Sequence, residues 1–196
     1  MKHETIQKLC SCGVLAALIC VLGPFSVPIG PVPVAFANLA IFLAVYLLGW
    51  KWGTVSCLVY LLVGLAGLPV FSGFGSGAAK LLGPTGGYLL GYLPMALVGG
   101  WIIDHTRSKW LHALGLMLGT ALCYLLGTAW FCWQGGYTVW AALGLCVTPF
   151  IPFDLGKIVI AIGLGSLLRH RLAQAGFYKE KRVAPCVQPV LSYYCA

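Results

Sequence analysis

The sequence predicts an all-α integral membrane protein, and three observations carry that prediction. The first is composition: 60% of the 196 residues are hydrophobic and 8% are charged, with a mean hydropathy of +0.94, whereas a water-soluble domain carries about 25% charged residues. The second is that apolar stretches approaching the ~20 residues a helix needs to cross a bilayer recur along almost the whole chain. The third is the placement of the basic residues, which gather at the ends of these stretches. A formal charge of +8 forming no patch interleaved with aromatics argues for membrane topology and against nucleic-acid binding.

Taken in order, the spans fall at 9–25, 36–50, 52–69, 86–103, 110–131 and 153–169, making six transmembrane helices. The N-terminal MKHETIQKLC precedes the first apolar run as a signal peptide's basic region would. That run ends without an A-x-A-like cleavage site, so it reads as a retained helix. Between the first two spans lies GPFSVPIGPVPVAF, a Pro-rich turn that cannot continue a helix. The longest connection, GLPVFSGFGSGAAKLLGPTGG, reads as a flexible Gly-rich loop, and CWQGGYTV follows the fifth span. WAALGLCVTPFIP at 140–152 is apolar but too short to span alone. It reads as a half-helix or re-entrant piece broken by Pro149 and Pro152, acceptable where protein or a cavity surrounds the backbone.

With six spans and both termini cytoplasmic, Lys2, Lys8, Lys51, Arg107, Lys109, Arg169, Arg171, Lys179, Lys181 and Arg182 fall inside, and Lys80 is the single cation of the outer connections. Five or seven spans would scatter them over both faces. Trp50, Trp52, Trp101, Trp110, Trp130 and Trp133 sit at span ends as interface anchors do. Residues 1–172 thus form one membrane domain in contact with lipid, and 173–196 a basic cytoplasmic tail.

The chemistry concentrates in PFIPFDLGKI, 149–158. Asp154 and Lys157 lie three residues apart and share a helix face, and ionisable groups within a span are costly enough to indicate a functional site. Pro152 sets Asp154 in the first turn of the last helix, where the helix dipole favours an anion. An ionised Asp accepts hydrogen bonds from ligand N–H groups, and Lys donates to a carbonyl. The competing explanation is a self-satisfied ion pair at a helix end.

A second candidate is the stretch 72–92, where Gly residues permit close backbone approach and Tyr88 stands one turn inside the next helix. Lys80 there is no P-loop lysine, because no Gly directly precedes it and no Ser or Thr directly follows. Phe36 and Asn38, just after the Pro-rich turn, face the same outer mouth; Asn38 either contacts ligand or caps a helix, and capping is the commoner role. On the first helix Gly13, Ala16, Ala17 and Cys20 have the small-residue spacing that lets another helix approach, within this domain or from a partner. The nine cysteines include no C-x-x-C pair or His cluster, so no metal site is expected. The histidines His3, His105, His112 and His170 lie toward the cytoplasmic side, far from the Asp–Lys pair, which disfavours an enzyme.

Three segments together, PIGPVPV at 28–34, GLPVFSGFGSG with LLGPTGGYLLGY at 67–92, and PFIPFDLGK at 149–157, resemble the BioY family, the biotin-binding S components of energy-coupling-factor (ECF) transporters. The resemblance covers about residues 8–172. It implies a six-helix membrane protein that binds biotin from outside, has no catalytic activity or cofactor, and delivers its ligand through a T component and two ATP-binding-cassette ATPases that hydrolyse ATP with Mg. It further implies that Asp154 and Lys157 contact the ureido head, that Tyr88 lines the pocket, and that Gly13, Ala16, Ala17 and Cys20 dock on the T component. This chain has Ala37 where many members have Gln and no Asn in 72–80, so Ser72, Ser76 or backbone groups would supply that contact. An S component for a different small vitamin is the alternative with the same architecture.

Overall fold

The computed structural model describes residues 3–27, 32–106 and 108–174. The basic tail beyond residue 174, the centre of the Pro-rich turn at 28–31, Lys2 and Arg107 lie outside the described residues. The chain forms α1 (His3–Leu22), a two-stranded antiparallel ribbon of β1 (Ser26–Val27) and β2 (Val34–Ala35), α2 (Ala37–Leu65), α3 (Gly77–Leu82), α4 (Gly86–His105), α5 (Lys109–Gly135), α6 (Val139–Cys146) and α7 (Ile151–Gln174). Five of these, α1, α2, α4, α5 and α7, are long and apolar enough to cross a membrane.

Where the sequence predicts separate spans at 36–50 and 52–69, the structure has the single element α2, broken at Gly49. Gly49 has φ 78° and ψ −179°, a conformation essentially reserved for glycine. The chain reverses there. A Cβ added at Gly53 would lie 2.7 Å from the Cα of Val45, whereas eight residues of unbroken helix would separate the two by about 12 Å. The Asp104 carboxylate closes the turn by accepting a hydrogen bond from the Trp50 N–H at 3.0 Å, and it occupies the space a Gly49 side chain would need. Gly49→Ala should therefore destabilise the protein by about 1–3 kcal/mol, read as a lower unfolding midpoint in detergent, with Asp104→Ala restoring part of the loss.

The first half of α2 is the centre of the molecule. Residues from Ala37 to Leu47 are almost continuously buried, which explains why this run shows no polar stripe in the sequence: neighbouring helices surround it. Helix α1 packs against the second half, where Ser56 donates to the Cys12 carbonyl at 3.1 Å. Helices α4 and α5 run antiparallel at close range because glycines face side chains across the seam: Gly87 opposite Trp130, Gly91 opposite Cys123, Gly115 opposite Ile102, and Gly119 opposite Met95. With little hydrophobic drive between helices in lipid, such close packing supplies much of the cohesion.

The Pro- and Gly-rich connections carry more regular structure than composition suggests. The Pro-rich turn carries the β1–β2 ribbon, pairing Ser26 with Ala35 and Val27 with Val34. The Gly-rich loop contains a 3-10 turn at Ser72–Phe74 and the short α3. It is anchored by Phe71, which is fully buried, packs edge-on to Tyr60 with ring centroids 5.6 Å apart, and takes the space left by Gly64. The segment read as a half-helix is α6 followed by turns leading into α7.

Candidate ligand-binding site

Helix α7 begins at Ile151, so Asp154 lies in its first turn, as the sequence indicates. The two ionisable groups face inward, Asp154 5% and Lys157 7% exposed, while Phe153, Leu155, Val159 and Ile160 on the same helix are exposed. Asp154 Oδ1 and Lys157 Nζ form an ion pair at 2.9 Å. The network extends beyond the pair: Tyr124 donates its hydroxyl proton to Asp154 Oδ2 at 2.5 Å, and Lys157 Nζ donates to the Ala35 carbonyl at 2.9 Å. Three elements, α7, α5 and β2, are thereby joined at one cavity, which Asn38 at the start of α2 also lines.

That cavity measures about 420 Å³ counted out to open solvent. Its walls are apolar and aromatic, with Val32, Val34, Tyr88, Tyr92 and Phe150 around the polar group of Asp154, Lys157 and Asn38. Asn38 is 7% exposed. It caps no helix, because the cap position of α2 falls at Phe36; its Oδ1 is buried with no partner among the described residues. Tyr88 lines the cavity and bonds through its hydroxyl to Thr128 Oγ1 at 3.2 Å. Its ring sits where Gly127 leaves room, and Gly87, the residue before it, lets α4 approach Trp130.

Other predicted positions are placed elsewhere. Phe36 is 40% exposed and absent from the cavity lining; its backbone N–H continues the ribbon by donating to Phe25 at 3.1 Å. Ser76 stands at the cap position of α3 outside the lining, and Ser72 of the same loop is the serine that reaches a cavity wall. Lys80 lays its aliphatic stem beside Gly75 and lines neither cavity. The small residues of α1 divide: Ala16 is buried and Cys20 half-buried against the core, while Gly13 and Ala17 face outward. Tyr124 and Tyr92 were not singled out in the sequence. The only trace of Tyr124 is a hydroxyl in the middle of the apolar run ALCYLLG, which alone does not say what it meets.

A family model described as "BioY family" matches residues 1–174. The chain belongs to the BioY family. Among curated relatives, the biotin transporter BioY of Thermotoga maritima is 38% identical over 157 residues, covering 80% of this chain and 92% of that protein. BioY2, a biotin transporter of Lactococcus lactis subsp. cremoris, is 34% identical over 181 residues, covering 91% and 98%. A solved crystal structure described as the S-component for biotin from an ECF-type ABC transporter superposes with a TM-score of 0.80 at 29% identity, covering 87% of this chain and 94% of that one. The membrane-helical architecture of this BioY protein is therefore that of an S component.

Proposed function

We propose that this protein is the biotin-binding S component of an ATP-driven ECF importer in the cell membrane. The observation that carries this reading is the set of hydrogen-bonding positions left open around Asp154. Lys157 has three ammonium protons, of which one goes to Asp154 and one to the Ala35 carbonyl, leaving one donor. Each Asp154 oxygen accepts one bond and keeps a lone pair, and Asn38 Oδ1 has no partner among the described residues. The open complement is a cluster of acceptors for N–H groups beside a donor for a carbonyl, which suits a cyclic urea. Biotin presents that urea on an apolar thiophane ring and aliphatic chain, which suit the aromatic walls. The relatives' names and the match to a biotin S component support the same ligand. As in the transporter family to which the chain belongs, the site binds and releases.

Under this reading the reversal at Gly49 makes two crossings of α2 and brings the total to six, with both termini on the cytoplasmic side. The T component and two ATPases, which use ATP and Mg, supply the energy. Gly13 and Ala17 offer a place to dock, since a Cβ at Gly13 meets nothing within 4 Å and the neighbouring Val14 and Val21 are exposed as well. Gly13→Leu is expected to leave biotin binding unchanged and to reduce recovery of T component in a co-purification by more than half.

Calorimetric titration with biotin of protein purified from biotin-depleted cells tests the function directly. One-to-one binding that weakens by more than tenfold, or about 1.4 kcal/mol, in Asp154→Asn supports it. Absence of heat from the folded parent would leave the architecture intact and turn the search to another vitamin.

A further inference from the structure

Beside the cavity holding Asp154 lies a second one of about 310 Å³, also counted out to open solvent. The two share Val32, Pro33, Ala35, Tyr88 and Tyr92 as common walls. What distinguishes the second is the rest of its lining, which brings the hydroxyl residues Tyr60, Ser72 and Thr85 together with Leu89 and includes no charged side chain. Tyr60 is 0% exposed, and its hydroxyl has no partner among the described residues. A buried hydroxyl without a partner carries the full penalty of its desolvation, and native structures rarely leave one so without reason.

We infer that Tyr60, with Ser72 and Thr85, forms the subsite for the carboxylate end of the ligand, holding an anion by neutral hydroxyl donors and no counter-cation. This rests on the biotin reading above, and it extends that reading to the opposite end of the molecule. The cation of the first cavity is already committed under that reading, because the one open proton of Lys157 serves the ureido carbonyl, whereas the second cavity offers hydroxyl donors that the ion pair does not use. The chain that links the two ends of biotin would run along the shared Tyr88 and Tyr92 walls, leaving its acid at the hydroxyl-lined end. Hydroxyl bonds to a carboxylate are short and charge-assisted, and all three hydroxyl residues line this one cavity. The second cavity also lies under the outer loops, since Ser72 belongs to the Gly-rich connection and Thr85 immediately precedes α4.

The test is a cycle between protein and ligand. Biotin and an analogue in which a methyl group replaces the carboxyl are titrated calorimetrically into the parent, Tyr60→Phe and Ser72→Ala. Tyr60→Phe keeps the ring that packs on Phe71 and removes only the hydroxyl. The expected result is a loss of about tenfold for biotin in Tyr60→Phe, the scale of one hydrogen bond to a charged group, with affinity for the analogue unchanged. An equal loss for both ligands, or no loss for either, overturns the subsite while leaving the biotin reading in place. Failure of the parent to bind biotin overturns the underlying reading instead. If Tyr60→Phe does not fold, the same comparison in Ser72→Ala decides between these outcomes.

Discussion

Lys157→Ala is expected to raise the biotin Kd by at least about a hundredfold and to lower the unfolding midpoint of the ligand-free protein, for one physical reason. Removing the ammonium leaves the Asp154 carboxylate 5% exposed with Tyr124 as its remaining side-chain partner, and breaking a buried pair from one side costs roughly 3–5 kcal/mol. The carboxyl can escape that cost by taking up a proton, but it then gives up part of the acceptor capacity that the ureido N–H groups need. The same change removes the donor to the Ala35 carbonyl, so the ribbon carrying β2 loses its tie to α7. Calorimetry and thermal unfolding in detergent measure the two effects separately. The double variant Asp154→Asn with Lys157→Met should recover much of the stability, since no unpaired charge remains, yet still fail to bind biotin. Tight binding by that double variant would show that the pair is structural.

Gly127→Ala has the next largest expected effect. A Cβ at this position runs into the Tyr88 ring, in the seam where α4 and α5 pack most closely. Overpacking of this kind costs about 1–3 kcal/mol. Because Tyr88 walls both cavities, its displacement should also weaken biotin binding by about tenfold or more, as follows if even 1.4 kcal/mol of the cost falls on the bound state. Combining Gly127→Ala with Tyr88→Ala separates the two consequences: the clash is relieved and the unfolding midpoint recovers, while affinity stays low. A midpoint that does not recover would mean that the strain lies in the helix backbones rather than in the ring.

The pair at the start of α7 was legible in the sequence because charge in an apolar span is conspicuous at any resolution of reading. Its partners were not. Tyr124 comes from 30 residues upstream and the Ala35 carbonyl from 122, and a backbone carbonyl carries no residue signature. Asn38 illustrates the opposite difficulty: its position soon after a turn suits a helix cap, but the helix begins two residues earlier than that role requires, and the side chain lines the cavity. Phe36 was expected at the ligand mouth from its place after the Pro-rich turn, and Ser76 as one substitute for the family's loop Asn; neither lines a cavity. The division of the α1 residues, Ala16 inward and Gly13 outward, follows from which face meets α2, a choice that small-residue spacing leaves open.

The sequence by itself determined that the chain lives in lipid and that Asp154 and Lys157 share one helix face, because hydropathy and helical period are local properties. Tertiary structure alone decided that α2 reverses at Gly49, that Tyr124 and Ala35 complete the ion pair, and that, among the described residues, Asn38 and Tyr60 are left with open hydrogen-bonding groups at two adjoining cavities. Those features depend on contacts between residues far apart in the chain, and only packing fixes which polar groups find partners and which await a ligand.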